Sequence, residues 1–138
     1  MAEITAYRPD HFGGVERLWR SVFPGDPARN QAEHAIPQKV AMEDDLFWVA
    51  ESPSGAVIGS IMAGWDGHRG WLYAVAVDPS QQRSGVGRDL VRHALAELRK
   101  RGCGKVNLQI RAGNEAVTAF YRELGFEIEQ RTSMGREI

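Results

Sequence analysis

The chain has a single cysteine, Cys103, in 138 residues, so no internal disulfide can form. A lone thiol fits a reducing, cytoplasmic setting, and its place beside a turn reads as an inert side chain. Basic residues are not in excess: 17 Lys and Arg stand against 18 Asp and Glu, for a net charge of −1. That balance argues against nucleic acid or an anionic membrane surface as a partner. No apolar run reaches the roughly 18 residues that span a bilayer. Met1-Ala2-Glu3-Ile4 has no basic segment leading into an apolar stretch, so no signal peptide is expected. His11, His34, His68 and His93 lack paired ligands, and no metal site is expected. There is no repeat, linker or low-complexity tract.

What is present suits one soluble domain over residues 1–138, with 43% hydrophobic and 25% charged residues. Its most informative stretch runs from Val75 to Arg88. Val75-Ala76-Val77 reads as a buried strand, followed by a turn, a glycine-bearing loop and a helix starting near Gly85 or Val86. Gly85 and Gly87 let a ligand approach the main chain. A helix N-terminus offers unpaired N–H groups and the positive end of its dipole. Together these make an anion site suited to phosphate or pyrophosphate, with Arg83 and Arg88 adding charge on either side. The run lacks the Lys-Ser/Thr of a Walker loop. It also lacks the third glycine of a dinucleotide fingerprint, since position 90 is Leu.

Two motifs point further. Gln82-x-x-Gly85-x-Gly87 resembles the pyrophosphate loop of the GCN5-related N-acetyltransferases (GNAT family). Asn114, then Tyr121 seven residues on, then Gly125-Phe126 resembles the same family's closing motif, in the same order. The resemblance covers about Leu46 to Phe126 well and the first 45 residues in outline. Asp66-Gly67-His68-Arg69-Gly70 also resembles a turn of a poorly characterised bacterial branch of the family. The implied fold is α+β. A mixed, mostly antiparallel sheet of six or seven strands is flanked by about four helices and splayed between strands four and five. The implied co-substrate is acetyl-CoA. Val75, Ala76 and Val77 would bond the pantetheine arm. Gln82, Arg83, Ser84, Gly85, Val86, Gly87 and Arg88 would hold the pyrophosphate. Asn114 would bond the pantetheine or phosphate end, or cap a helix, or both. Tyr121 would donate a proton to the departing sulfur, and no metal is called for.

The activity so implied is direct acetyl transfer from the thioester to a primary amine. Some relatives that acetylate protein N-termini carry Glu five residues before the motif Asn. Here that residue is Gln109, which cannot take a proton near neutral pH. A small-molecule amine is therefore favoured over a protein terminus. A non-catalytic acyl-CoA-binding or sensing module remains an alternative. The base stays open among His68, Asp66, Tyr73, Glu51 and a water chain. The resemblance leaves room for a homodimer.

Periodicity supplies the rest of the layout. Ile4 to Tyr7 reads as a strand. Asp10 is placed to cap a helix whose stripe is Phe12, Val15, Leu18, Trp19 and Val22, stopped by Pro24-Gly25-Asp26-Pro27. A second helix over about 28–42 should break or kink at Pro37. In the family these two helices wall the acceptor pocket. Glu43-Asp44-Asp45 is either a solvated helix end or an attractor of cations. Strands are expected at 46–50, 56–65 and 71–77 as a meander. The helix from Val86 should end at Gly102. A parallel strand over 105–110, a last helix capped by Asn114, and final strands over 126–130 and 132–138 complete the reading.

Overall fold

Aromatic and β-branched residues concentrate in three consecutive runs, and these runs form the central meander. In the computed structural model, which describes residues 2–138, they are β2 (Phe47–Glu51), β3 (Val57–Trp65) and β4 (Gly70–Val77). With β1 (Glu3–Ala6) and β5 (Val106–Asn107) they make one sheet in the order β1-β2-β3-β4-β5. All neighbours pair antiparallel except β4 and β5, which are parallel after a helical crossover. The described chain divides into two compact units, Met1–Leu108, which holds the whole sheet, and Gln109–Ile138.

Alternation along β3 sends Ser60 and Met62 to one face and Gly59 and Ile61 to the other. On the first face lie α1 (Phe12–Val22) and α2 (Ala32–Ala41). Val15, Leu18, Trp19, Ala32 and Ile36 form a buried cluster there with Phe47, Val49, Met62 and Ala76. On the second face lies α3 (Val86–Lys100), burying Leu90, Val91, Ala94 and Leu98. Its contact with the sheet is tightest at Gly59, where a Cβ would lie 2.8 Å from Leu90 and 3.1 Å from Val86. Gly59→Val should therefore overpack this contact and lower stability by about 2–3 kcal/mol in urea titration. A shift near zero would show that α3 can slide.

Helix ends follow local chemistry. Gly102 takes φ 99°, its N–H bonds the Arg99 carbonyl and the Cys103 N–H bonds Leu98, so α3 closes as expected. Cys103 is buried behind this cap. Asp10, by contrast, caps nothing. Pro9 to His11 form a 3-10 turn, Asp10 pairs with Arg8, and the ring nitrogen Nδ1 of His11 accepts the Arg8 N–H at 2.9 Å. Pro37 does not end α2. The first turn is anchored on the Gln31 carbonyl by His34 and Ala35, and proline removes a single donor from the helix. The helix does start later than expected, because 28–30 form a separate 3-10 turn.

In the second unit, α4 (Glu115–Glu123) is capped by Asn114, whose side-chain oxygen accepts the Val117 N–H at 3.3 Å. The final strands over 126–130 and 132–138 are not formed, so the sheet has five strands and not six or seven. Ile128 and Met134, the apolar residues those strands would bury, are 68% and 91% exposed. The 126–130 run does alternate, Phe126 and Ile128 against Glu127 and Glu129, yet among the described residues no strand pairs with it. β5 is likewise two residues long, short of the expected 105–110.

Candidate active site

β4 is open along most of one edge. β5 pairs with it only at Gly70↔Val106 and Trp71↔Asn107. Among the described residues no strand pairs with Leu72–Val77 on that edge. The other edge pairs with β3 but carries a bulge. Ser60 faces Ala76 and Met62 faces Tyr73, so Ala74 and Val75 together oppose Ile61. Ala74 has φ 51°, a left-handed conformation unusual for alanine. Such a kink redirects main-chain donors and acceptors out of the regular ladder.

β4 then runs into the glycine loop. Asp78 accepts from the N–H and hydroxyl of Ser80 at 2.9 and 2.7 Å, which folds a 3-10 turn over Pro79–Gln81. These bonds also hold the Asp78 carboxyl below its usual value. Arg83 and Gly85 both adopt positive φ, 66° and 90°. Left-handed residues of this kind turn successive N–H groups into a concave anion nest. The Ser84 hydroxyl bonds the Gln81 carbonyl and braces the loop. The first helical bond runs from the Asp89 N–H to the Gly85 carbonyl at 3.0 Å, so the amides of Val86, Gly87 and Arg88 precede the ladder. A Cβ at Gly85 would sit 3.0 Å from the Arg88 guanidinium. Gln82, Arg83, Ser84 and Arg88 are exposed, while Val86 is buried under the helix start. Main-chain donors, two arginines and a missing side chain fit a pyrophosphate group.

The second unit holds the remaining motif residues. Tyr121 is buried, edge-on to Phe120 and Phe126 at ring distances of 4.9 and 5.5 Å. Burial raises its phenol to about 12, from the ordinary 10.0. Below pH 10 the phenol is neutral whether the chain is folded or not. Above it only the unfolded chain ionises, so stability should fall as pH climbs from about 10 to about 12, by roughly 3 kcal/mol. Urea titrations across that window, repeated with Tyr121→Phe, check this. The variant should flatten the loss, leaving a smaller slope from Tyr7, which burial and Asp10 also shift upward. An unchanged slope would assign the effect elsewhere.

Of the four side chains named as possible bases, Asp66 and His68 share one turn. Glu51 lies 3.4 Å from His11 Nε2, at the end of β2. Asp66 accepts the N–H groups of His68 and Arg69, each at 2.8 Å, and these bonds lower its carboxyl further. His68 is exposed in the same turn. Tyr73 alone stands in β4 beside the bulge, 43% exposed. Gln109 donates to the Ser133 hydroxyl. Within the acidic run, Asp44 pairs with the buried Lys39 at 2.8 Å and accepts the Leu46 N–H, so it locks a turn.

Two features had no clear signal in the sequence. Ser60, in a run of apolar residues, is fully buried. A cavity of about 350 Å³ lies between the end of α1 and the start of α2, lined by Trp19, Phe23, Glu16, Asp26 and Glu33 among others. Among the described residues, no group of three or more His, Cys, Asp or Glu could hold a metal, and no helix is long and apolar enough to cross a membrane.

Known proteins are similar to this chain over most of its length. An acetyltransferase from Sodalis glossinidius (strain morsitans) is 39% identical over 127 residues, 92% of this chain and 88% of that protein. Ard1 from Thermoplasma volcanium superposes with a TM-score of 0.81 at 23% identity, over 93% of this chain and 84% of that one. The PaiA N-acetyltransferase from Thermoplasma acidophilum, solved in complex with coenzyme A, also gives 0.81, at 17% identity over 96% and 93% of the two chains. Residues 13–126 are matched by the model of the acetyltransferase (GNAT) family, so this chain belongs to that family, with N-acetyl transfer as its activity and acetyl-CoA as its co-substrate.

Proposed function

We propose that the protein transfers acetyl from acetyl-CoA directly to a primary amine of a small molecule. The observation that carries this reading is the open edge of β4 leading straight into the Arg83–Arg88 anion loop. The pantetheine arm lies along Val75–Val77 as an added strand, with Ala76 between the two bonding residues. The pyrophosphate takes the amides of Gly85 to Arg88, with Gln82 and Ser84 at the rim. Asn114 bonds the pantetheine or phosphate end as well as capping α4.

The chemistry then needs few groups. A neutral amine attacks the thioester carbonyl carbon, and the main-chain N–H of Val75 receives the developing oxyanion. Such a donor is worth about 3 kcal/mol in a dry site. The carbon–sulfur bond breaks, and the Tyr121 hydroxyl gives its proton to the sulfur. The amine's own proton leaves to water past Tyr73, whose hydroxyl orients the amine or its water, and water returns one proton to the Tyr121 phenolate, so the phenol is restored. No acyl-enzyme forms.

A small acceptor is supported by the size of the α1–α2 cavity, whose aromatic wall of Trp19 and Phe23 is bordered by Asp26, Glu33 and the Glu16–Arg20 ion pair at 3.2 Å. Gln109, lacking any proton affinity and bonded to Ser133, fits poorly with the terminal-acetylating subgroup. Thiol release across a panel of diamines, amino sugars, amino acids and N-terminal peptides tests the reading. Turnover is expected with small amines and not with peptides. Peptide turnover would replace the small molecule by a protein terminus. Coenzyme A binding without turnover on any amine would leave a sensing module.

A further inference from the structure

Buried between α1 and the sheet is a short chain of hydrogen bonds that ends on the bulge. The Trp19 indole N–H donates to the Ser60 hydroxyl at 2.9 Å, and that hydroxyl donates to the Ala74 carbonyl at 2.9 Å. Ser60 is fully buried and Trp19 is 5% exposed. A serine among Ile58, Ile61 and Met62 is poorly suited to a core unless its hydroxyl is bonded. Here it accepts one bond and donates one. Ala74 and Val75 have no register partner of their own on β3, so the Ala74 carbonyl takes a side-chain donor where the ladder would have given an amide. Alanine disfavours the left-handed conformation, and something must hold it there.

We infer that Ser60, itself oriented by Trp19, is a positioning residue: it fixes the turn at Ala74 and thereby aims the Val75 amide at the thioester. The inference rests on the transfer reaction proposed above. Trp19 also lines the α1–α2 cavity, so one indole joins the acceptor wall to the reacting strand.

Ser60→Ala keeps the volume nearly unchanged and removes both bonds. The expected result is a 10- to 100-fold fall in kcat, as for a misaimed reacting group, with acetyl-CoA affinity held within about threefold. Adding Ala74→Gly should restore most of the lost kcat, because glycine holds positive φ unaided. A merely structural serine would lower the melting temperature, leave kcat intact and gain nothing from the glycine, and that result overturns the inference. Trp19→Phe, which keeps the ring and removes the donor, should give a smaller loss in the same direction; it carries the test if Ser60→Ala does not fold. Should the native protein transfer no acetyl group at all, the proposed reaction fails by itself. Amide hydrogen exchange at Val75 and Ala76 then decides separately, faster exchange in Ser60→Ala supporting the clasp and unchanged exchange refuting it.

Discussion

Tyr121→Phe should cut kcat for acetyl transfer by roughly a hundredfold or more, with acetyl-CoA affinity unchanged within about threefold. The substitution keeps the ring and its edge-on contacts with Phe120 and Phe126 and removes the hydroxyl alone. The leaving thiolate is poor while its thiol pKa is about 8.5, so a donor in place at bond breaking lowers the barrier. Burial pushes the Tyr121 phenol up to about 12, so it keeps its proton throughout the working range. The loss should be in kcat because the bond to sulfur strengthens only as charge develops. Equal turnover by the variant would remove Tyr121 from the chemistry and leave it a core aromatic.

Gly85→Val is expected to weaken acetyl-CoA binding by a hundredfold or more. Gly85 sits at φ 90°, where a β-branched residue is strained, and its Cβ would meet Arg88 at 3.0 Å. Relief of that strain must rotate the peptide units at the start of α3. Two charge-assisted bonds to phosphate lost in this way cost about 3–6 kcal/mol, at the usual worth of each. Val86 beside it is buried against Gly59, so the strain should also lower the melting temperature by a few degrees. Calorimetry on folded variant protein measures the effect. An affinity matching the native value would show that the pyrophosphate is held elsewhere.

How far the sequence announced this arrangement depends on the kind of signal. The path from β4 through the loop to α3 was legible, because glycine spacing, an apolar strand and an amphipathic stripe each report local geometry. The Asn114 cap and the Gly102 stop were legible for the same reason. The bulge was not. Its left-handed residue is Ala74, and alanine carries no turn signal; tertiary bonds from Ser60 hold it. Nor was Ser60 legible, since one serine in an apolar run looks like a tolerated polar residue. Asp10 had the right chemistry for a cap, but Pro9 drew the chain into a 3-10 turn first. The expected strands after Gly125 did not form, since alternation alone supplies no partner: Ile128 and Met134 lie exposed, and among the described residues no strand pairs with theirs. Local propensity located the glycine loop; pairing partners far along the chain decided which edges of the sheet stayed open.

The most direct measurement is an amide chemical-shift titration of the isotope-labelled protein with acetyl-CoA. Saturable shifts are expected at Val75 and Val77 together with Gly85 to Arg88, at one shared dissociation constant. Binding that leaves these amides still, or no binding at millimolar ligand, would contradict a coenzyme held along β4 and its loop.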